Sequence, residues 1–224
     1  MDPFKQKKIA FMERLEREAG LGRVDFDIMD VLRGINSLPD YFTTSSCSGR
    51  IMIASAERLG FSKSVRSMGS FELVSKWHRP VTMGEVREAM ERLSDAWLMV
   101  RSAILHVVAR RLDEAEELLR LARSSGFKHS GISSIKEWGY LVELLGEDRM
   151  DVPLKVRGKL IYDDLDPLVD AANETLMFAK LRLADLVRSI ENALMSGGYP
   201  ESRLIKVPYR QFKNEMGARP AGLP

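Results

Sequence analysis

The chain has 224 residues, of which 45% are hydrophobic and 29% are charged, a balance typical of a globular protein with a sizeable core. Lysine and arginine number 34 against 32 aspartates and glutamates, so the net charge of +2 does not by itself indicate a nucleic-acid-binding protein. One cysteine and three histidines exclude a disulfide framework and disfavour a four-ligand structural zinc site.

Helical signals dominate the first forty residues. An Asp-Pro pair at the N-terminus predicts a helix start, and an apolar stripe at helical spacing stops at Gly20. A second, shorter helix is predicted behind Asp25 or Asp27. It must end before Pro39, because the residue that precedes a proline disfavours helical backbone.

From Tyr41 the sequence changes to YFTTSSCSGRIMIAS, in which aromatic and β-branched residues flank a Ser-Gly turn signal. This pattern predicts a strand, a polar loop and a second strand. The FELVSKW run over Phe71–Trp77 predicts another strand. Thr82 and Glu85 form a capping-box pattern, which predicts a helix directly after them.

The second half of the chain continues this mixture of strands and helices. The apolar run 97–108 predicts one or two buried strands, and acidic and then basic residues over 113–125 predict a helix that ends at Gly126. The runs GISSIK and YLVELL predict neighbouring strands, and PLKVRGKLIY is a weaker extended candidate. The longest helical period covers residues 163–194.

Strands and helices mix without regular alternation, which predicts an α+β fold. We expect a single domain over residues 1–198, with a mixed or antiparallel sheet flanked by helices and a long C-terminal helix, followed by a basic, flexible tail over 199–224. Ser-Gly pairs at 48–49 and 130–131 both precede an extended run, which indicates either a duplicated unit or only the frequency of such turns. Without an apolar span or a signal-peptide pattern, a cytoplasmic protein with no membrane partner is expected.

The densest polar feature is TTSSCSGR, residues 43–50. Hydroxyl side chains, glycine-released backbone N–H groups and an arginine can form a cradle for a carboxylate or phosphate. The alternative is a polar hairpin loop whose hydroxyls satisfy their own backbone. A covalent role for Cys47 is disfavoured, because no base lies near it in sequence.

The three histidines differ in their surroundings. His78 ends a predicted strand beside Trp77, and His129 lies on a loop, where functional histidines are more common. His106 lies inside an apolar run, which is more typical of a hydrogen-bonded core residue. The motifs of dinucleotide-binding, P-loop, HExxH and GxSxG enzymes are absent from the sequence, so standard nucleotide folds and metallohydrolases are unexpected, and no metal is predicted.

Basic residues concentrate in two segments that are either solvated surface or nucleic-acid contacts. The first runs from Ser62 to Arg79 and the second from Tyr199 onward. Their cations are Lys63, Arg66, Lys76 and Arg79, and Arg203, Lys206, Arg210, Lys213 and Arg219.

Three stretches together resemble the tRNA wybutosine-synthesizing protein three family. They are YFTTSSCSGRI at 41–51, ILHVVARRLDEAEELLRLARSSGFKHSGI at 104–132, and the DDLDPLVDAAN stretch that ends at Asn173. The similarity covers about residues 25–194 and implies an α+β fold rather than a Rossmann-type methyltransferase fold. One departure stands in KWHRP, where the family pattern leads us to expect a serine and the sequence has Trp77.

The resemblance implies methyl transfer from S-adenosylmethionine to a ring nitrogen of the tricyclic wyosine-type guanosine beside the anticodon of phenylalanine tRNA. The anticodon stem-loop is then the expected partner. A protein that binds the anticodon loop without chemistry is the alternative.

The resemblance also directs the choice of site residues. His78 is expected as general base and Ser46 as a second catalytic group. The expected cofactor-binding residues are Ser45, Ser48, Gly49, Arg50, His106 and Ser130, with Arg50 on the cofactor carboxylate or on a tRNA phosphate. The expected tRNA contacts are Lys76, Arg79, Arg110 and Asn173. Arg182 on the long helix either reaches the same cleft or has a purely structural role.

Overall fold

A computed structural model describes residues 2–56 and 71–195. The tail and the cations Lys63 and Arg66 lie outside these residues, so the expected domain boundary and the role of the tail stay predictions. The helices of the described part are α1 (Pro3–Gly20), α2 (Met29–Ser37), α3 (Met83–Met90), α4 (Leu112–Ser124) and α5 (Asp166–Ile190). A 3-10 turn, Phe26–Ile28, precedes α2, and a π turn, Glu191–Met195, follows α5.

Nine strands of the described chain form two antiparallel sheets. They are β1 (Tyr41–Cys47), β2 (Arg50–Ala56), β3 (Phe71–Trp77), β4 (Ala96–Arg101), β5 (Ile104–Ala109), β6 (Gly131–Lys136), β7 (Gly139–Leu145), β8 (Arg149–Val156) and β9 (Lys159–Leu160). Sheet A has the order β1-β5-β7-β6, and sheet B has the order β3-β2-β4-β8-β9. The predicted α+β class is confirmed, with two sheets where one was expected.

Helix α5 contributes apolar side chains to the cores of both sheets. One core lies between the inner face of sheet A and helices α2, α4 and α5, and includes Leu105 and Phe127. The second lies between sheet B and helices α3 and α5, and includes Leu98 and Leu176. The apolar positions of α5 repeat at helical spacing over its full length, so one helix can supply both cores.

The chain passes between the sheets at three linkers, residues 48–49, 102–103 and 146–148, which we call the seam. At Gly49 the backbone φ is 93°, and a Cβ there would lie 3.1 Å from the carbonyl oxygen of Arg101. Only glycine fits both the conformation and the close approach without strain. The glycine of SSCSGR therefore allows two linkers to pass close to each other.

The predicted order of strand, polar loop and strand is present at this motif, but the alternative of a hairpin is wrong, because β1 and β2 enter different sheets. The run 97–108 divides in the same way, since β4 belongs to sheet B and β5 to sheet A. The two Ser-Gly pairs differ: residues 48–49 link the sheets, and residues 130–131 lead into an edge strand, so they do not mark a duplicated unit.

Local signals set the element ends closely. The capping box of α3 is present, with the Thr82 hydroxyl accepting from the Glu85 backbone N–H and the Glu85 carboxylate accepting from the Thr82 N–H. Strand β8 starts at Arg149, whereas the predicted extended run begins at Pro153. The earlier start results from pairing with β4, which begins at Arg149 opposite Arg101. No helix in the described ranges is both long and apolar enough to cross a membrane.

Lys8 on α1 gives the fold a pH dependence. Its ammonium donates to the carbonyl oxygens of Leu38 and Pro39, and burial lowers its pKa from 10.5 to about 8, against an opposing effect of Asp40. The unfolded chain therefore binds more protons between pH 8 and 10.5, and the free energy of unfolding rises with pH across this window. We expect the free energy of unfolding, measured with urea, to rise more from pH 7.5 to pH 9.5 in the wild type than in Lys8→Met. Equal rises in the two proteins would contradict this.

Candidate active site

A hydrogen-bonded cluster lies where β1 meets the seam, and its centre is a pair formed by Asp25 and His78. The Nδ1 atom of His78 lies 3.1 Å from Oδ2 of Asp25 and 2.9 Å from the carbonyl oxygen of Gly49. Both neighbours are acceptors, so Nδ1 carries the proton and Nε2 keeps its lone pair. Oδ2 of Asp25 also accepts from the backbone N–H of Ser48 at 3.2 Å. This pair orients the imidazole as a base.

Cys47 lies against this pair, with its sulfur 3.9 Å from Nδ1 of His78. Burial raises the pKa of the Cys47 thiol, and Asp25 adds to the rise, while a backbone hydrogen bond from Gly49 and the charges of Arg50 and Lys180 lower it. The net shift is upward, so the thiol stays protonated at neutral pH. This agrees with the expectation that Cys47 is not a nucleophile.

Two cations border the cluster. Lys180 of α5 forms an ion pair with Asp27, and its ammonium lies 3.4 Å from the hydroxyl of Ser48. Arg50, the first residue of β2, has an Nε atom that is buried and has no hydrogen-bond partner in the described part of the chain. A buried, unpaired guanidinium N–H is costly unless a ligand accepts from it. Arg50 therefore indicates an anionic ligand at this end of the seam.

Two serines near Arg50 in the chain or the seam also have buried polar atoms without a partner among the described residues. The Oγ atoms of Ser46, near the end of β1, and of Ser102, in the seam, are buried and unpaired among the described residues. Hydroxyl groups in such positions can donate to or accept from a polar ligand. The unpaired groups on β1, β2 and the seam thus support a polar ligand site that was expected from SSCSGR.

A row of polar side chains crosses the outer face of sheet A beside the cluster. His106 pairs across the strands with Glu143, and Glu143 pairs with Gly131, which has no side chain and open space in front of it. Nδ1 of His106 lies 2.8 Å from Oγ of Ser45, and Nε2 lies 3.3 Å from Oε1 of Glu143. Three sequence motifs, SSCSGR, ILHVV and SGI, therefore meet on one face.

The far half of this face is covered. Phe4 and Phe11 of α1 pack on Phe42 of β1, and Val108 of β5 completes this small apolar cluster. In the other half, Ser45 is exposed, and the side chains of His106 and Glu143 are 27% and 40% exposed. A substrate can therefore reach the polar row from solvent.

A β-bulge between Thr43 and Ser46 sets the direction of Ser45. The backbone N–H of Thr43 donates to Oδ1 of Asn36 at 2.7 Å, and both side chains are buried. We expect Asn36→Ala to lower the free energy of unfolding by about 2 kcal/mol, because it leaves a buried N–H unpaired. Thr43→Val keeps this backbone hydrogen bond and removes only the hydroxyl contacts to Asn36, so urea unfolding should show a smaller loss of stability; equal losses would contradict the assignment.

The structure places other predicted site residues away from the cluster. Ser130 is buried, with its hydroxyl donating to the Phe127 carbonyl oxygen and accepting from the Leu145 N–H. Arg110 binds Asp2 and Asp40 at the opposite end of β1 and β5. The roles of Arg110 in tRNA binding and of Ser130 in cofactor binding stay predictions.

Two further predicted tRNA contacts lie on the segment that carries His78, and a third binds this segment from α5. Arg79 is exposed and pairs with Glu85 at 2.6 Å, which holds the pKa of Glu85 at about 2. Lys76 is exposed near the end of β3. Asn173 of α5 clamps the backbone of Val81, with hydrogen bonds of 2.8 and 2.9 Å to its N–H and carbonyl oxygen. That clamp fixes the His78 segment to α5.

Sequence reasoning missed three members of the site. Asp25 is one of two predicted starts of the second helix, Lys180 falls within the predicted long helix, and Glu143 falls within the predicted strand YLVELL. The partners of Asp25 and Lys180 are distant in sequence, so no local signal marks them.

Asp25, Cys47 and His78 also place a carboxylate oxygen, a sulfur and a ring nitrogen within 4.8 Å of one another. The same Nδ1 atom that a metal would need faces the carbonyl oxygen of Gly49 at 2.9 Å, which requires a proton on Nδ1. The geometry favours a hydrogen-bonded base over a metal site.

Known proteins resemble the chain over most of its length. The family described as methyltransferase TYW3 matches residues 6–192. A Thermococcus kodakarensis protein is 41% identical over 192 residues, with 84% of this chain and 94% of the relative covered; it is named tRNA(Phe) 7-((3-amino-3-carboxypropyl)-4-demethylwyosine(37)-N(4))-methyltransferase 1. A protein from Archaeoglobus fulgidus is 34% identical over 202 residues, with 88% of this chain and 97% of the relative covered. It has the same enzyme name without the final number.

Solved structures show the same fold. The structure of PH1069 protein from Pyrococcus horikoshii superposes with a TM-score of 0.76 at 38% identity, and covers 84% of this chain and 95% of its own. A protein from Aeropyrum pernix, described as hypothetical, superposes with a TM-score of 0.64 at 34% identity, over 75% of this chain and 98% of its own.

Proposed function

The chain belongs to the methyltransferase TYW3 family and is an enzyme that acts on tRNA, and from that premise we propose its donor, acceptor and site. The donor is S-adenosylmethionine. The acceptor is N4 of 7-(3-amino-3-carboxypropyl)-4-demethylwyosine at position 37 of tRNA(Phe), the base in the names of the relatives. The expected family is confirmed. A tRNA substrate also supports the expected cytoplasmic location.

The buried, unpaired Nε of Arg50 carries the assignment of the cofactor site. The carboxylate of S-adenosylmethionine is a group that an arginine fork binds bidentately. Ser46 supplies a further unpaired hydroxyl, and Ser48 and Gly49 supply the backbone beside it. A cofactor carboxylate fits a buried Nε atom better than a tRNA phosphate does, because the phosphate backbone stays on the surface of its nucleic acid.

Bound S-adenosylmethionine supplies an electrophilic methyl group, so the protein needs no nucleophile of its own. The chain's residues hold the acceptor base and remove a proton from N4 as the new carbon–nitrogen bond forms. His78 accepts that proton at Nε2, because its Nδ1–H is held by Asp25 and Gly49. Asp25 stabilises the imidazolium that results. Ser45, His106 and Glu143 form the wall that orients the base.

The alternative of a tRNA-binding protein without chemistry is disfavoured by relatives that are named as enzymes. Methyl-labelled S-adenosylmethionine, incubated with the protein and tRNA(Phe) that carries the 4-demethylwyosine derivative, should give label on the base. No transfer to any wyosine-type precursor would overturn the proposed function. Calorimetry adds a second criterion, since a binding protein has no reason to bind S-adenosylmethionine.

A further inference from the structure

A cavity of about 600 Å³ lies between the end of α4, the turn after it and the last turns of α5. We call it the α4–α5 groove. Its lining is polar, with four cations, one carboxylate, three serine hydroxyls and a backbone turn. The lining residues are Arg123, Ser124, Ser125, Gly126, Lys128, Arg182, Asp185, Arg188, Ser189 and Asn192.

The cations of the groove come from separate elements. Arg123 lies in the last turn of α4, where a cation also stabilises the helix dipole, and Lys128 lies in the turn after the helix. Arg182 and Arg188 come from α5 and face the same gap, which helix capping of α4 does not explain. Like charges brought together from two helices repel unless an anion lies between them. Asp185 is the single carboxylate of the lining, and it already pairs with Arg188.

The structure fixes Arg182 in place. Its Nε binds Asp148 of the seam at 3.1 Å, and a Cβ on Gly126 would lie 2.6 Å from its guanidinium. Gly126 has a φ of 89°, so glycine serves both the turn and the close approach. The side chain of Arg182 nevertheless stays 45% exposed. A held, half-exposed arginine is suited to contact a phosphate.

The groove lies beside the seam that carries the candidate active site. Asp148, the partner of Arg182, belongs to the seam, and α5 also carries Lys180, which contacts Ser48 in the site. From Lys180 to Arg188 the axis of α5 rises about 12 Å. One RNA substrate is long enough to contact both the site and the groove.

We propose that the α4–α5 groove binds the sugar-phosphate backbone of RNA and thereby holds the tRNA substrate while its modified base reaches the seam. This inference rests on the proposed function for the identity of that RNA. Phosphate contacts supply affinity without sequence readout, and cations in a hydroxyl-lined groove match that chemistry. Lys128 is exposed and carries no ion pair in the described chain.

The test compares Lys128→Gln/Arg188→Gln with a matched control, Lys5→Gln/Lys7→Gln, on the exposed face of α1. The probe is unmodified tRNA(Phe) transcript, with the dissociation constant measured across salt concentrations. We expect the groove variant to lose about tenfold in affinity near 0.1 M salt and to lower the salt slope by about 2. The control variant should change the affinity and the salt slope by much less. The groove variant and the control should each bind S-adenosylmethionine as the wild type does.

The outcomes distinguish the groove as an RNA site from the proposed function. Equal effects of the two variants, or an unchanged salt slope in the groove variant, would overturn the groove as an RNA site. A wild type that binds the transcript but transfers no methyl group to tRNA carrying a wyosine-type precursor would overturn the proposed function, and the groove would still be tested by the binding data. A wild type that binds no RNA would overturn both. The single variant Lys128→Gln, with about half the change in slope expected, guards against a folding defect from the double substitution.

Discussion

His78→Ala is expected to lower kcat for methyl transfer by 10²- to 10⁴-fold, the range that a positioned general base contributes. The affinity for S-adenosylmethionine should stay near the wild-type value, because the imidazole acts on the proton of the acceptor nitrogen. Single-turnover transfer with saturating cofactor and tRNA measures the chemical step, and calorimetry measures cofactor affinity.

Two further variants separate catalysis from structure. Asp25→Asn keeps the size of the side chain that holds Nδ1 of His78, so it should lower kcat less than His78→Ala and should change the pH profile of the reaction. His129→Ala serves as the matched control, because that imidazole is exposed and lies on another loop. Normal kcat in His78→Ala would show that another group accepts the proton, with His106 the next candidate.

Arg50→Ala is expected to weaken the binding of S-adenosylmethionine by about 100-fold, which is about 2.7 kcal/mol. A buried charge pair that loses one partner typically costs 2–5 kcal/mol, and the unpaired Nε of Arg50 indicates such a pairing with the ligand carboxylate. Calorimetric titration with S-adenosylmethionine and with S-adenosylhomocysteine measures the effect.

Arg50→Lys keeps the charge and loses the bidentate fork, so its affinity should lie between those of the wild type and Arg50→Ala. Arg79→Ala is the control, because that arginine is exposed and pairs with Glu85. If Arg50→Ala binds the cofactor normally and instead loses tRNA affinity, Arg50 binds a phosphate and the cofactor carboxylate must have another partner.

Most elements of the fold are encoded locally, and the sequence therefore predicted them well. The strand Phe71–Trp77 follows from aromatic and β-branched residues, and α3 follows from a capping box formed by four consecutive positions. Helix α5 starts at Asp166 and ends at Ile190, close to its predicted range, because its apolar period continues without a break.

Partner choice between strands was not encoded in the same way. A Ser-Gly pair at 48–49 is compatible with a hairpin and with a linker between sheets, and only contact with Arg101, Ala103 and Leu176 distinguishes the two. The site shows the same limit. His78 was predicted from its place at a strand end, whereas Asp25, its partner, lies 53 positions earlier and is locally explained as one of two possible helix starts.

The seam as the site of methyl transfer is tested most directly by a crystal structure of the protein with S-adenosylhomocysteine. We expect the ligand carboxylate on Arg50, and the sulfur directed toward His78 and the outer face of sheet A. A second cavity, of about 550 Å³, lies between α3 and the β8–β9 hairpin, where it is lined by residues such as Arg87 and Lys155. Ligand bound there, or anywhere without contact to Arg50 and the seam, would contradict the assignment.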